Sequence, residues 1–141
     1  MGYTHYFAFS KEKAADIKDG DKKFRKAVKL FKEGLKKLPD MKLCNGWGEG
    51  EPVITYEEVC FNGSAKLGED CEAFFLPLNE PMSPFDKFCK TREKPYDVAV
   101  CLALLCFEKS FGNDFKCESD GNKTTAEGWV KARSIMNNLK Q

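Results

Sequence analysis

The chain has 141 residues, enough for one ordinary domain and too few for two independently cored ones. Apolar residues make up 42% of it and aromatics 13%, with twelve Phe, which supplies a real core and excludes a disordered chain. Lys and Arg number 23 against 22 Asp and Glu, so no global field selects nucleic acid or a membrane surface. No apolar run reaches the roughly 18 residues of a bilayer span. The opening residues 1–6 carry neither the charged nor the apolar stretch of a signal peptide. The expectation is a cytoplasmic protein with no membrane partner, folded as one domain over residues 1–141.

Residues 3–9 alternate as a strand, with Tyr3, His5, Phe7 and Phe9 on one side and Thr4, Tyr6 and Ala8 on the other. Both sides are apolar or aromatic enough to predict cover on both faces. A polar stretch over 10–20 accommodates a short helical turn. Asp21 is then placed to cap a helix over 21–38, where Phe24, Val28, Phe31, Leu35 and Leu38 fall on one face and Pro39 ends the run. The opposite face carries Lys22, Lys23, Arg25, Lys26, Lys29, Lys32, Lys36 and Lys37. Residues 1–43 sum to +6 and the remainder to −5, so the chain is a charge dipole.

Residues 44–52 hold three glycines and read as a turn, with Trp47 as a candidate lid. They lack the Lys-Ser/Thr and the strand-turn-helix order of a phosphate loop. Strands are predicted over 53–56 and 59–61, then an Asn62-Gly63 hairpin turn, then a returning strand over 71–76. A Pro-rich loop covers 77–84. Pro95 suits a first helical turn and opens a helix over 96–107 with no polar face, which predicts a buried central helix. A short strand over 115–117 and a turn at 119–121 follow. Thr124 or Thr125 is placed to cap a last helix with Trp129, Ala132, Ile135, Met136 and Leu139 inward. The order β-α-β-β-β-α-β-α without a βαβ repeat predicts an α+β fold: a small, mainly antiparallel sheet, a buried central helix and two amphipathic helices.

Seven cysteines and no secretory signal argue for reduced thiols packed in the core rather than disulfides. Zinc modules present ligands as closely spaced pairs, and no Cys-x-x-Cys occurs here, so no metal or other cofactor is expected. Cys60 and Cys71 fall in predicted strands.

The densest polar segment, residues 88–97, runs directly into the apolar helix. Lys90, Arg92 and Lys94 stand at its N-terminus, where free amides also favour negative charge, so this end is suited to hold a phosphate. Arg92 can grip such a group bidentately while Lys90 and Lys94 act as point charges; the alternative is local pairing with Glu93 and Asp97. His5 is the sole imidazole, and Glu72, Asp97 and Asp120 are the acids able to orient it as a general base. No complete catalytic signature is present, which favours a binder over an enzyme.

The segments Gly2-Tyr3-Thr4-His5-Tyr6, Phe61-Asn62-Gly63, Glu72-x-Phe74, Phe88-Cys89-Lys90-Thr91, Lys94-Pro95-Tyr96-Asp97 and Ser119-Asp120-Gly121 together resemble a family of small uncharacterised tailed-phage proteins. The resemblance runs over almost the whole chain. It departs at Phe7, where Trp-like bulk is the family expectation, and in a heavier basic helix. What it implies is a phage or phage-derived origin, expression in a bacterial cytoplasm, and a site gathering His5, Asn62, Glu72, Lys90, Lys94, Tyr96 and Asp97.

With Tyr6, Thr91 and Arg92 added, these residues form the candidate ligand site. The leading expectation is a homo-oligomeric accessory protein that sequesters a phosphorylated, nucleotide-like messenger of host immunity without chemistry. The alternatives are a nucleotide-processing enzyme using His5 with an acid, and an inhibitor docking on a host protein through Lys22, Lys26, Lys29 and Lys36. No aromatic is interleaved with those lysines, which disfavours nucleic acid.

Overall fold

A computed structural model describes residues 3–139; Gly2 of the opening motif lies outside them. Within them the chain forms six strands and three α-helices in an α+β arrangement. Strand β1 (Thr4–Phe9) is the centre of one antiparallel sheet, flanked by β5 (Phe88–Lys90) and β6 (Phe115–Ser119). Strands β2 (Val53–Ile54), β3 (Glu58–Phe61) and β4 (Phe74–Pro77) make a second antiparallel sheet. Among the described residues no helix is long and apolar enough to cross a membrane.

Helix α2 (Asp97–Phe111) lies between α1 (Gly20–Leu35) and α3 (Glu127–Asn137) and packs on both. Its apolar sequence is explained by that position, since neighbours bury it on nearly every side. The sheets meet where the Phe7 and Phe74 rings lie 5.1 Å apart, and α1 stacks Phe31 on Phe61 of the second sheet at 5.6 Å. Phe24, Val28 and Phe31 are buried along the predicted stripe of α1, and its cationic face is turned outward.

Several expected details change, each for a local reason. Helix α1 begins at Gly20 behind Asp19, whose φ is 58°, and Asp21 lies in the first turn rather than at the cap. A side chain at Gly20 would run into the Ala14 carbonyl at 2.1 Å, so the close approach of the short Ala14–Asp16 turn sets the helix start. At its other end the last turn tightens, Leu38 N–H donating to Leu35 O, ahead of Pro39. Helix α2 runs on to Phe111, where Gly112 stops it with a φ of 60°.

Asn62-Gly63 is not a two-residue hairpin. The tight hairpin lies one strand earlier, where Thr55 N–H donates to Glu58 O and the Thr55 hydroxyl accepts from the Glu57 and Glu58 amides. Gly63 is needed for closeness instead, since a Cβ there would stand 2.0 Å from Glu69 O. Cys71 consequently lies in a loop, not in the returning strand, which spans Phe74–Pro77. Residues 88–90, read as part of a polar segment, pair with β1 as an additional strand. Ala126, not a threonine, precedes α3; Asn122 organises that turn by accepting from the Thr124, Thr125 and Ala126 amides. On β1 the second face is only partly covered, with Tyr6 46% exposed.

Candidate functional site

The inner end of β1 carries the site. Alternation points His5 into the molecule, and the pairing of β1 with β6 sets it opposite Ser119. Helix α2 starts beneath it with Asp97. His5 is fully buried, and its Nε2–H donates to Asp97 Oδ1 at 2.6 Å. Ser119 Oγ lies 3.0 Å from His5 Nδ1 and 3.3 Å from the Tyr3 hydroxyl. The Thr91 hydroxyl, also fully buried, donates to the same Asp97 oxygen at 2.6 Å. Cys101, one helical turn beyond Asp97, brings Sγ to 3.9 Å from His5 Nε2 and 3.8 Å from Asp97 Oδ2. The Trp129 ring closes the cluster edge-on to the imidazole at 5.5 Å.

The members come from four stretches of the chain, around residues 3–5, 91–101, 119 and 129, yet each buried polar group but one is paired, as burial demands. The exception is Trp129 Nε1, which is buried without an acceptor. Burial pushes the Cys101 thiol well above its ordinary range, with the neighbouring Asp97 charge adding to it, so by itself this is a thiol and not a nucleophilic thiolate. Burial likewise raises the Tyr3 phenol, which stays a neutral hydrogen-bonding group.

Thr91 also accepts from the Glu93 amide and so pins the turn leading into α2. In that turn Arg92 and Glu93 take φ values of 54° and 56°, two successive left-handed non-glycine residues. Such residues cost on the order of 1–3 kcal/mol each and persist where surrounding bonds over-determine them.

Asp97 is 5% exposed, and it faces outward into a cleft of about 380 Å³. The first turns of α2 and α3 both border this cleft, through Asp97 and Val98 on one side and Glu127 and Gly128 on the other. Tyr3, Leu38, Met41 and Pro95 give it apolar walls, and Lys94 and Lys131 supply its cations. A Cβ at Gly128 would come within 2.4 Å of Asp97 Oδ2, so only glycine lets α3 approach the carboxylate this closely.

Of the expected site residues, the fold brings His5, Thr91 and Asp97 together and places Lys94 at the rim of the cleft. Asp97 is thus the acid that pairs with His5. Asp120 instead accepts from the Thr4 amide, and Glu72 from the Lys90 amide. Tyr96 is buried on the other side of the α2 start, its hydroxyl donating to Glu72 O at 2.6 Å. Asn62 holds the loop after β3, donating to Gly46 O and Cys71 O and accepting from the Cys71 amide. Glu72, Lys90 and Tyr96 therefore brace the turn from behind while Asn62 fastens its own loop, and none of them borders the cleft, nor do Arg92 and Tyr6. Trp47, 86% exposed on its own loop, is not a lid over it.

Sequence reading missed Ser119, Cys101, Gly128 and Lys131. Only the Asp97–Cys101 spacing of four, which sets both on one helical face, carried a signal. No protein-family model, curated protein or solved structure matches this chain.

Proposed function

We propose that the protein binds a phosphorylated, ring-bearing small molecule of nucleotide type in the cleft over Asp97 and holds it unchanged. In the bacterial cytoplasm that the phage resemblance implies, such binding sequesters a nucleotide messenger of host immunity. The observation that carries the reading is the meeting of two helix N-termini at one buried, fully oriented carboxylate. First-turn amides have no partner inside their helix and favour an anion. Lys94, whose Nζ donates to Gly68 O at 3.1 Å across an exposed contact, and Lys131 supply cations beside them. Lys131 is held only by the exposed Glu127, at 2.9 Å, a surface pair of small worth that a phosphate readily replaces. Asp97 accepts hydrogen bonds only, so it suits a ring's amino or hydroxyl donor, with Tyr3 and Pro95 as flat apolar contacts. A cleft of this volume falls in the range of small-molecule sites, roughly 300–1,000 Å³.

The His5–Asp97 contact also favours a second reading, acid-base chemistry on the same ligand. His5 is fully buried with both ring nitrogens engaged, so a proton would reach the ligand only through Asp97. This geometry supports binding over turnover.

A thermal-shift screen of nucleotides, cyclic di- and trinucleotides and ADP-ribose derivatives, with each ligand recovered for mass analysis, tests the proposal. A ligand at about a hundred times its dissociation constant adds about 2.7 kcal/mol, a shift of several degrees for a domain of this size. The expected result is a shift with the ligand intact, weakened about tenfold by Lys94→Ala or Lys131→Ala. Altered ligand would mean an enzyme. No shift across the panel, with function lost instead on Lys29→Glu and Lys36→Glu, would mean docking through α1.

A further inference from the structure

We propose that His5, Asp97 and Cys101 form a binding site for one divalent transition-metal ion, zinc above all, whose fourth position opens toward the cleft. The three residues are buried, and one donor atom from each lies within 4.8 Å of the others. Asp97 and Cys101 are four residues apart on α2, which sets a carboxylate and a thiol on one helical face, and β1 lays the imidazole across them. One nitrogen, one oxygen and one sulfur are the donor types zinc takes, and three protein ligands with one position left over is the pattern of zinc sites that bind a further molecule.

The distances fit. Zinc at about 2.0–2.1 Å from nitrogen and about 2.3 Å from sulfur sets those donors about 3.5 Å apart in a tetrahedron. Here Sγ stands 3.9 Å from Nε2 and 3.8 Å from Oδ2, a few tenths of an ångström wider. Zinc takes Nε2 once the proton now shared with Asp97 Oδ1 has moved to Nδ1, where Ser119 Oγ accepts it; nitrogen and oxygen donors around the ion then stand about 3.3 Å apart, against 2.6 Å for the present Nε2–Oδ1 contact.

Two further features are those of a ligand set rather than of plain core packing. Both hard donors are already oriented from behind: Ser119 Oγ sits on the remote imidazole nitrogen, and the Thr91 hydroxyl holds Asp97 Oδ1, leaving Nε2 and Oδ2 directed at the sulfur. In addition, Gly128 brings the α3 backbone against the same atoms, with room for no Cβ, 2.4 Å from Oδ2 and 3.2 Å from Cys101 Sγ. The fourth ligand comes from the cleft that Asp97 borders, a water or an anionic oxygen of whatever the cleft holds. Binding releases one proton from the thiol as the sulfur–metal bond forms; nothing is oxidised or reduced.

The site stands whether or not the cleft takes a nucleotide, and its test uses the metal alone. Metal-free full-length protein is titrated with Co²⁺ as the spectroscopic probe, and Zn²⁺ affinity is measured by competition with a chromophoric chelator. The expected result is one equivalent bound, with a thiolate-to-cobalt charge-transfer band and tetrahedral visible bands. Cys101→Ser removes the charge-transfer band, whereas Cys106→Ser, one and a half turns further along α2, keeps it. Ser119→Ala, which leaves all three donors in place, weakens Zn²⁺ about 10- to 100-fold. Absence of the band in the parent protein, or its survival in Cys101→Ser, would overturn the site. Ligand shifts that persist in chelator would at the same time leave the cleft reading standing.

Discussion

Phe7 and Phe9, toward one end of β1, meet Phe74, Phe107, Phe111 and Phe115 at ring separations of 5.0–6.5 Å. Tyr3 and His5, toward the other end, meet Ser119, Asp97 and Trp129 instead. Both ends are buried to the same degree, and they are held by different physics. The aromatic end is stabilised by area and contact, which have little directional demand. The polar end is held by hydrogen bonds of fixed direction, where losing one partner strands the others. Apolar residues of similar volume often serve stability as well as a buried ionic cluster does. The polar end, bordering the cleft, is therefore where this fold gives up easy packing for a defined arrangement of donors and acceptors.

Truncation breaks the comparison most strongly. Phe107→Ala opens a cavity and is expected to cost about 3–5 kcal/mol. Asp97→Ala is expected to cost a similar amount, about 3–5 kcal/mol, because His5 and Thr91 are left buried without their acceptor. Chemical denaturation measures both. The two ends separate under rescue: Phe107→Leu recovers most of its loss, while Asp97→Leu, apolar and of greater volume, recovers little so long as His5 and Thr91 remain.

A smaller effect comes from alkali. Burial pushes the Cys106 thiol up to about 12 and the Cys117 thiol up to about 11, the latter held back by Lys123 nearby. A raised thiol pKa means the folded chain keeps a proton that the unfolded chain loses. Stability is thus full below the ordinary thiol value of 9.0 and falls as pH rises toward the folded values. The expected slope is about 1.4 kcal/mol per pH unit for each such thiol. Melting curves from below pH 9.0 up to about 11 check it, and Cys106→Ala should flatten the slope by one thiol's share.

Much of the fold was legible because it rests on periodicity. The stripe Phe24, Val28, Phe31 and the alternation of Tyr3, His5, Phe7 and Phe9 each bury the face they announce. The all-apolar run after Pro95 is the central helix. Strand β5 was not legible: three residues, Phe88 to Lys90, are too short for any alternation to register, and they are made a strand by β1 alone. Asn62-Gly63 misled because its composition suits a hairpin, while here the Asn side chain fastens a twelve-residue loop and the Gly admits a carbonyl.

The site was half legible for a related reason. His5, Thr91 and Asp97 stood out as chemistry-bearing residues, but three acids were open as the partner of His5, and only tertiary structure selects Asp97. Ser119 read as part of a turn and Cys101 as one more apolar position. Cysteines close in sequence are what announces a metal module, whereas the groups able to hold an ion lie at positions 5, 97 and 101 and meet only through the fold.

The central claim is that ligand binding occurs at the cleft over Asp97, where α2 and α3 begin. Backbone ¹H–¹⁵N NMR of the protein titrated with its best ligand from the nucleotide panel tests this most directly. The account predicts the largest shifts at Tyr3, Lys94, Val98 and Glu127 to Trp129, with the second sheet unmoved. Shifts confined to α1 or to the second sheet, with those amides unchanged, would contradict it.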